Sequence, residues 1–194
     1  MPINTPTTAK SDLKRHVMWV AYLVGVLTLI EALNMLTGRM FNQYSIYPRD
    51  LDFLAFIFTA PFLHANFGHF ASNVITLAIF AVLLLQFGAS RFIQVSVGLV
   101  ILTGLLVWGL GRPAYHLGAS GVIYGYFGYL VLAGFLSKRL SLMAISVAVA
   151  FFYGGMIWGV LPSQPYISWE SHLFGFVAGL FLAYIFRTKR SVIS

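Results

Sequence analysis

The chain has 194 residues, of which 59% are hydrophobic and 9% charged, and it contains no cysteine. A water-facing domain carries about 25% charged residues, so this surface is not made to meet water on every side. The missing thiols exclude cysteine nucleophiles, disulfides and cysteine-ligated metals. Twelve Lys and Arg against five Asp and Glu give a net charge of +7, but the basic residues sit at the ends of apolar runs, the pattern of membrane topology and not of nucleic-acid binding.

Met1–Lys10 is polar, with Pro2 and Pro6. It reads as a short disordered stretch within a cytoplasmic tail of residues 1–16, and the run that follows lacks the small-residue cleavage site of a signal peptide. Val17–Leu36 is the first stretch long enough to cross a bilayer. Leu51–Leu63 is rich in Phe and Leu, but it is too short to span and is interrupted by Asp52 and Pro61, so it is expected at the interface or packed on a bundle. Five further spans are expected at Phe70–Phe87, Phe92–Leu110, Ser120–Leu136, Leu142–Val160 and His172–Phe186. The fold class is therefore all-α, with six membrane helices over residues 17–187 and a cytoplasmic tail at 188–194.

Six spans leave both termini on one side. Lys10, Lys14, Arg15, Arg91, Lys138, Arg139, Arg187, Lys189 and Arg190 share it, against Arg39, Arg49 and Arg112 opposite. The bias places both termini in the cytoplasm, so spans two, four and six start at the outer face and run inward. His69 and Asn73, Ser120, and His172 stand at those three outer ends. Polar groups at membrane depth are costly and mark function by default.

Each group has a plain reading beside a chemical one. Ser120, in Gly118-Ala119-Ser120-Gly121, is either an N-cap or a nucleophile, with glycines that leave its N–H open to an oxyanion. His172 shares a helix face with Gly175 and Gly179, which invites close approach of a neighbouring helix; it is either an interfacial histidine or half of a pair. His69 and Asn73 lie four residues apart on one face and both donate hydrogen bonds, as an oxyanion requires. His64 either joins them or ties the first loop to the helix. Tyr124, four residues after Ser120, is either a packing aromatic or a platform for an imidazole. No H-E-x-x-H or intramembrane carboxylate accompanies the histidines, so a metal is not expected. Glu170 precedes His172 by two positions and reads as a favourable charge at a helix start; Glu31 remains unassigned.

His64…His69-x-x-x-Asn73, Gly118-x-Ser120-Gly121 with Tyr124, and His172-x-x-Gly175-x-x-x-Gly179, in this order on spans two, four and six, resemble the rhomboid family of intramembrane serine proteases. The resemblance implies a six-helix rhomboid bundle with a half-submerged first loop, in a cell inner membrane. It implies Ser120 as nucleophile, His172 as general base, and His69, Asn73 and the Ser120 N–H as oxyanion hole. Tyr124 would stack on His172, with Gly118, Gly121, Gly175, Gly179 and His64 in support. The fifth span and the Pro162–Ser171 loop would gate and cap the site. Substrates would be membrane-spanning proteins, met among membrane lipids, with no cofactor and no metal. Two positions depart from the family: Ala55 and Phe56 stand where many rhomboids carry Trp-Arg, and Ser171, which could add an N-cap, stands where Ala is usual. The rival reading is a non-catalytic rhomboid-like binder of membrane helices.

Overall fold

The computed structural model describes residues 6–162 and 166–187, and among these the regular elements are all helices, with one isolated backbone bridge between Ile46 and His116. The six long helices are α1 (Pro6–Leu36), α2 (Phe67–Leu85), α3 (Ala89–Leu110), α4 (Ser120–Ser137), α5 (Leu140–Tyr153) and α6 (Trp169–Ile185). α1 starts upstream of Val17, so residues 6–10, expected to be irregular, are helical. The expected tail at 188–194 and the middle of the Pro162–Ser171 loop, residues 163–165, lie outside the described residues.

α1, α2, α3 and α4, together with Leu140–Val160, are each apolar and long enough to cross a bilayer. With the fifth span counted to Val160, α6 is the shortest of the six, with 17 residues, or about 26 Å at 1.5 Å per residue. After Tyr153 the fifth span tightens into a 3-10 helix over Gly154–Val160. Gly154 and Gly155 open that segment; glycine is a poor helix former, and a Cβ at either position would meet only open space.

α4 is the axis of the bundle, with Tyr126, Tyr129 and Leu130 buried along it. Glycines set how closely it meets α6. A Cβ on Gly175 would strike the Gly121 carbonyl, one on Gly179 the Gly125 carbonyl, and one on Gly128 the Phe176 carbonyl. Backbone therefore meets backbone, the close contact that small residues permit between membrane helices. On its other flank α4 meets α5 through Ser146, whose Oγ donates to the Leu130 carbonyl at 2.5 Å and accepts from the Gly134 N–H at 3.1 Å.

Between α1 and α2 the first loop folds into short 3-10 turns at Met40–Tyr44, Leu51–Phe58 and Ala60–Phe62. Trp-Arg is absent at Ala55 and Phe56, and other groups hold the loop. Arg49 donates to the Gly111 carbonyl at 2.7 Å, Trp108 Nε1 donates to the Asp50 carbonyl at 2.8 Å, and Phe56 packs edge-on against Phe53 and Tyr44.

Candidate active site

The starts of α2, α4 and α6 converge on one open cavity of about 850 Å³, lined by His69, Asn73, Ser120, Tyr124 and His172 together with Tyr153 and Met156 from the fifth span. The polar residues that the sequence places far apart thus share one wall. Ser120 is the first residue of α4, and the N-cap is Ala119, with no side-chain cap bond. Its hydroxyl is therefore not occupied in capping, and its N–H, at a helix start, has no intrahelical carbonyl to bond.

His172 lies in the first turn of α6, and its ring is stacked on Tyr124 with centroids 4.1 Å apart and planes 8° from parallel. Its Nδ1 is 2.9 Å from the Gly159 carbonyl. A carbonyl only accepts, so Nδ1 carries the proton and Nε2 keeps its lone pair. A Cβ on Gly159 would run into the Tyr124 hydroxyl, so a side chain there would displace the ring on which His172 is stacked.

His69 is fixed from the opposite direction. The Ala65 N–H points at its Nδ1 at 3.5 Å, which leaves Nε2 as the protonated nitrogen. Gly118 has φ +116°, and a Cβ on it would stand 2.9 Å from His69 Nε2 and 3.4 Å from Asn73 Nδ2. Positive φ and close approach both demand glycine. They bring the loop before Ser120 against two side-chain donors, and Asn73 Nδ2 is buried with no acceptor among the described residues.

His64 does not line the cavity. It lies behind His69 with no exposed surface, its ring edge-on to His69 at 5.3 Å and to Phe70 at 5.3 Å. Burial, reinforced by the nearby His69 and Arg39, pushes its pKa down to about 4, so the ring is neutral at neutral pH. Gly121, Gly175 and Gly179 serve the α4–α6 contact and not the cavity wall.

Three groups escaped the sequence reading. Glu31, 1% exposed, receives Arg39 Nη2 at 2.9 Å, while Arg39 Nη1 donates to the His64 carbonyl at 2.6 Å. The first loop is thereby tied to α1 and to the segment entering α2. His116, buried just before α4, is 2.6 Å from Ser168 Oγ through Nδ1 and 3.0 Å from the Arg112 carbonyl through Nε2. Burial lowers its pKa, opposed by the Arg112 carbonyl. Ser168 is also the N-cap of α6, accepting from the Ser171 N–H at 3.3 Å. The cap expected of Ser171 therefore belongs to Ser168, because α6 begins at Trp169 and Ser171 is already within its first turn. Glu170, 3% exposed in that turn, lies 3.5 Å from Arg112 Nε. Among the described residues no group of three His, Asp or Glu side chains is arranged to hold a metal ion.

An all-α membrane bundle with polar groups at three helix starts defines the class. The rhomboid domain model matches residues 52–189, and the chain belongs to the rhomboid family. Family membership implies intramembrane proteolysis as the class of activity. Uncharacterised proteins of Mycobacterium tuberculosis and Mycobacterium leprae are 34% and 32% identical to it, over 94% and 91% of this chain and 81% and 76% of theirs. A Bacillus subtilis protein named provisionally as a rhomboid protease is 28% identical over 69% of this chain and 68% of its own.

Proposed function

We propose that the chain is an intramembrane serine endopeptidase that works with a Ser120–His172 dyad and cuts membrane-spanning proteins near the outer face. The observation that carries this reading is the state of His172: its Nδ1–H is held by the Gly159 carbonyl and its ring by Tyr124, so Nε2 is free to act as a base in the cavity that Ser120 lines.

Ser120 Oγ attacks the scissile carbonyl carbon while His172 Nε2 takes the hydroxyl proton. The carbonyl oxygen becomes an oxyanion, received by His69 Nε2–H, Asn73 Nδ2–H and the Ser120 N–H. His172 returns the proton to the leaving amine as the C–N bond breaks and leaves an ester on Ser120. Water then attacks the ester, gives its proton to Nε2, and Ser120 departs with that proton as the new carboxyl group leaves. Glu170 is turned to Arg112, so the imidazolium is supported by the Gly159 carbonyl and not by a third acidic residue.

The cavity's open form supplies the water that hydrolysis needs at membrane depth. The substrate must unwind where it is cut, because a helical backbone hides its carbonyls; small or helix-breaking residues near its outer end favour this. The charge bias of the loops supports an inner-membrane orientation with both termini in the cytoplasm.

The test is labelling by a fluorophosphonate together with cleavage of a model transmembrane substrate. Ser120→Ala and His172→Ala are each expected to lose labelling and to lower cleavage by at least about 10³-fold. Full cleavage by Ser120→Ala would remove the dyad. Capture of the substrate without cleavage by the unmodified protein would favour a helix-binding role.

A further inference from the structure

At the end of the bundle away from the candidate site, the start of α3, the end of α4, the start of α5 and the end of α6 enclose a second cavity of about 110 Å³. It is several times the ~30 Å³ that one water occupies in the liquid. Arg91, Arg139 and Arg187 line it with Tyr129 and Ser137, and no carboxylate is among the described residues that line it.

The first arginine is fixed in place. Arg91 Nη1 donates to the Phe186 carbonyl at 2.6 Å and to the Tyr129 hydroxyl at 3.4 Å, and its guanidinium lies 4.5 Å from the centre of the Phe186 ring. Its Nε is buried with no acceptor among the described residues. A buried donor without an acceptor is costly, more so on a charged group. Arg187 lies over the Tyr184 ring at 3.5 Å and donates to the Tyr184 carbonyl, so among the described residues it too finds only neutral partners. The Arg139 side chain has no acceptor among the described residues, while its backbone N–H is held by Ser137 Oγ at 3.2 Å. α5 starts at this point without a side-chain cap, adding the positive end of a helix dipole.

Three guanidinium groups around one cavity, none offset by a carboxylate among the described residues, suit an anion from outside the chain. We propose that this cavity binds a phosphate group through Arg91, Arg139 and Arg187, supplied by the headgroup of an anionic phospholipid. Guanidinium matches phosphate by paired N–H donors, and basic pockets between membrane helices on the cytoplasmic side suit such headgroups. The bound phosphate joins α3, α5 and α6 at ends that no other described ion pair connects.

The full chain in uncharged detergent is titrated with phosphatidylglycerol, phosphatidylcholine or inorganic phosphate while its thermal midpoint is read. Phosphatidylglycerol is expected to raise the midpoint and phosphatidylcholine to leave it unchanged. The double variant Arg139→Gln/Arg187→Gln, both at exposed positions, should weaken the response at least about tenfold in lipid concentration. Lys14→Gln/Lys138→Gln removes the same charge from residues that do not line the cavity and should retain the response. A response to inorganic phosphate alone, lost in the arginine variant, would overturn the lipid as source and identify a free-anion site. No response to either, or an equal response in both double variants, would overturn the site. The readout is binding, so it stands apart from whether Ser120 is the nucleophile.

Discussion

His64 is held between Glu31, Arg39, His69 and Phe70 without solvent contact, with Glu31 Oε2 3.9 Å from its Nδ1. Because its pKa is lowered to about 4 in the folded protein, the unfolded chain takes up a proton more readily. Its contribution to stability is therefore whole above about pH 6.5 and is lost as pH falls through 4, amounting to roughly 3 kcal/mol by linkage. Thermal midpoints measured from pH 7 to pH 4 should fall, and His64→Asn should flatten that dependence; an unchanged slope would contradict the account. Asn73 is a different case, since its Nδ2 is buried and waits for an acceptor. Asn73→Ala is expected to lower kcat by about 10²-fold, the usual effect of one oxyanion donor, while fluorophosphonate labelling slows and the thermal midpoint changes little.

Among the elements, α1 and the first loop are joined by an ion pair as well as by the Asn34 hydrogen bonds to Asn42 and Phe41. Glu31→Gln leaves Arg39, which also holds the His64 carbonyl, without its charged partner. Removing one member of a buried pair typically costs about 3 kcal/mol or more. The variant should lose thermal stability by that order, with cleavage falling in parallel because the same loop leads into His69. Gly175→Val tests the α4–α6 contact: a side chain has no room beside the Gly121 carbonyl. Overpacking of this kind costs about 1–3 kcal/mol, and here it also pushes His172 away from Tyr124. Loss of labelling ahead of loss of fold is the expected outcome, read by comparing labelling with the thermal midpoint.

For the whole molecule, the spans were legible because charge-free runs of membrane length admit few alternatives. The converging of these residues was legible because Ser120, His172 and the His69–Asn73 pair each stand at the start of an apolar helix, and the neighbouring glycines repeat at helical spacing. Glu31–Arg39 was not, since the pair forms only after the chain reverses through Gly38 and Arg39, both at positive φ. His116 and Ser168 were not, because a lone loop histidine carries no periodic signal and its partner is 52 residues away. The start of α6 was misplaced by three residues for a local reason: Trp169 and Glu170 look like loop until the Ser168 cap is known. Topology can be checked directly, since the chain has no cysteine of its own. Ser120→Cys in intact cells should react with a membrane-impermeant maleimide from outside; protection there would argue against an outward-open cavity.

The glycine contact between α4 and α6 has a mechanical meaning. With carbonyls of one helix set against the Cα atoms of the other, no layer of side chains lies between them to deform. Ser120 and His172 ride on two rods clamped together, so they share one frame of reference as the surrounding bilayer thickens, thins or tilts. The fifth span has no such clamp where it tightens into its 3-10 stretch: a Cβ added at Gly154 or Gly155 would meet nothing within 4 Å.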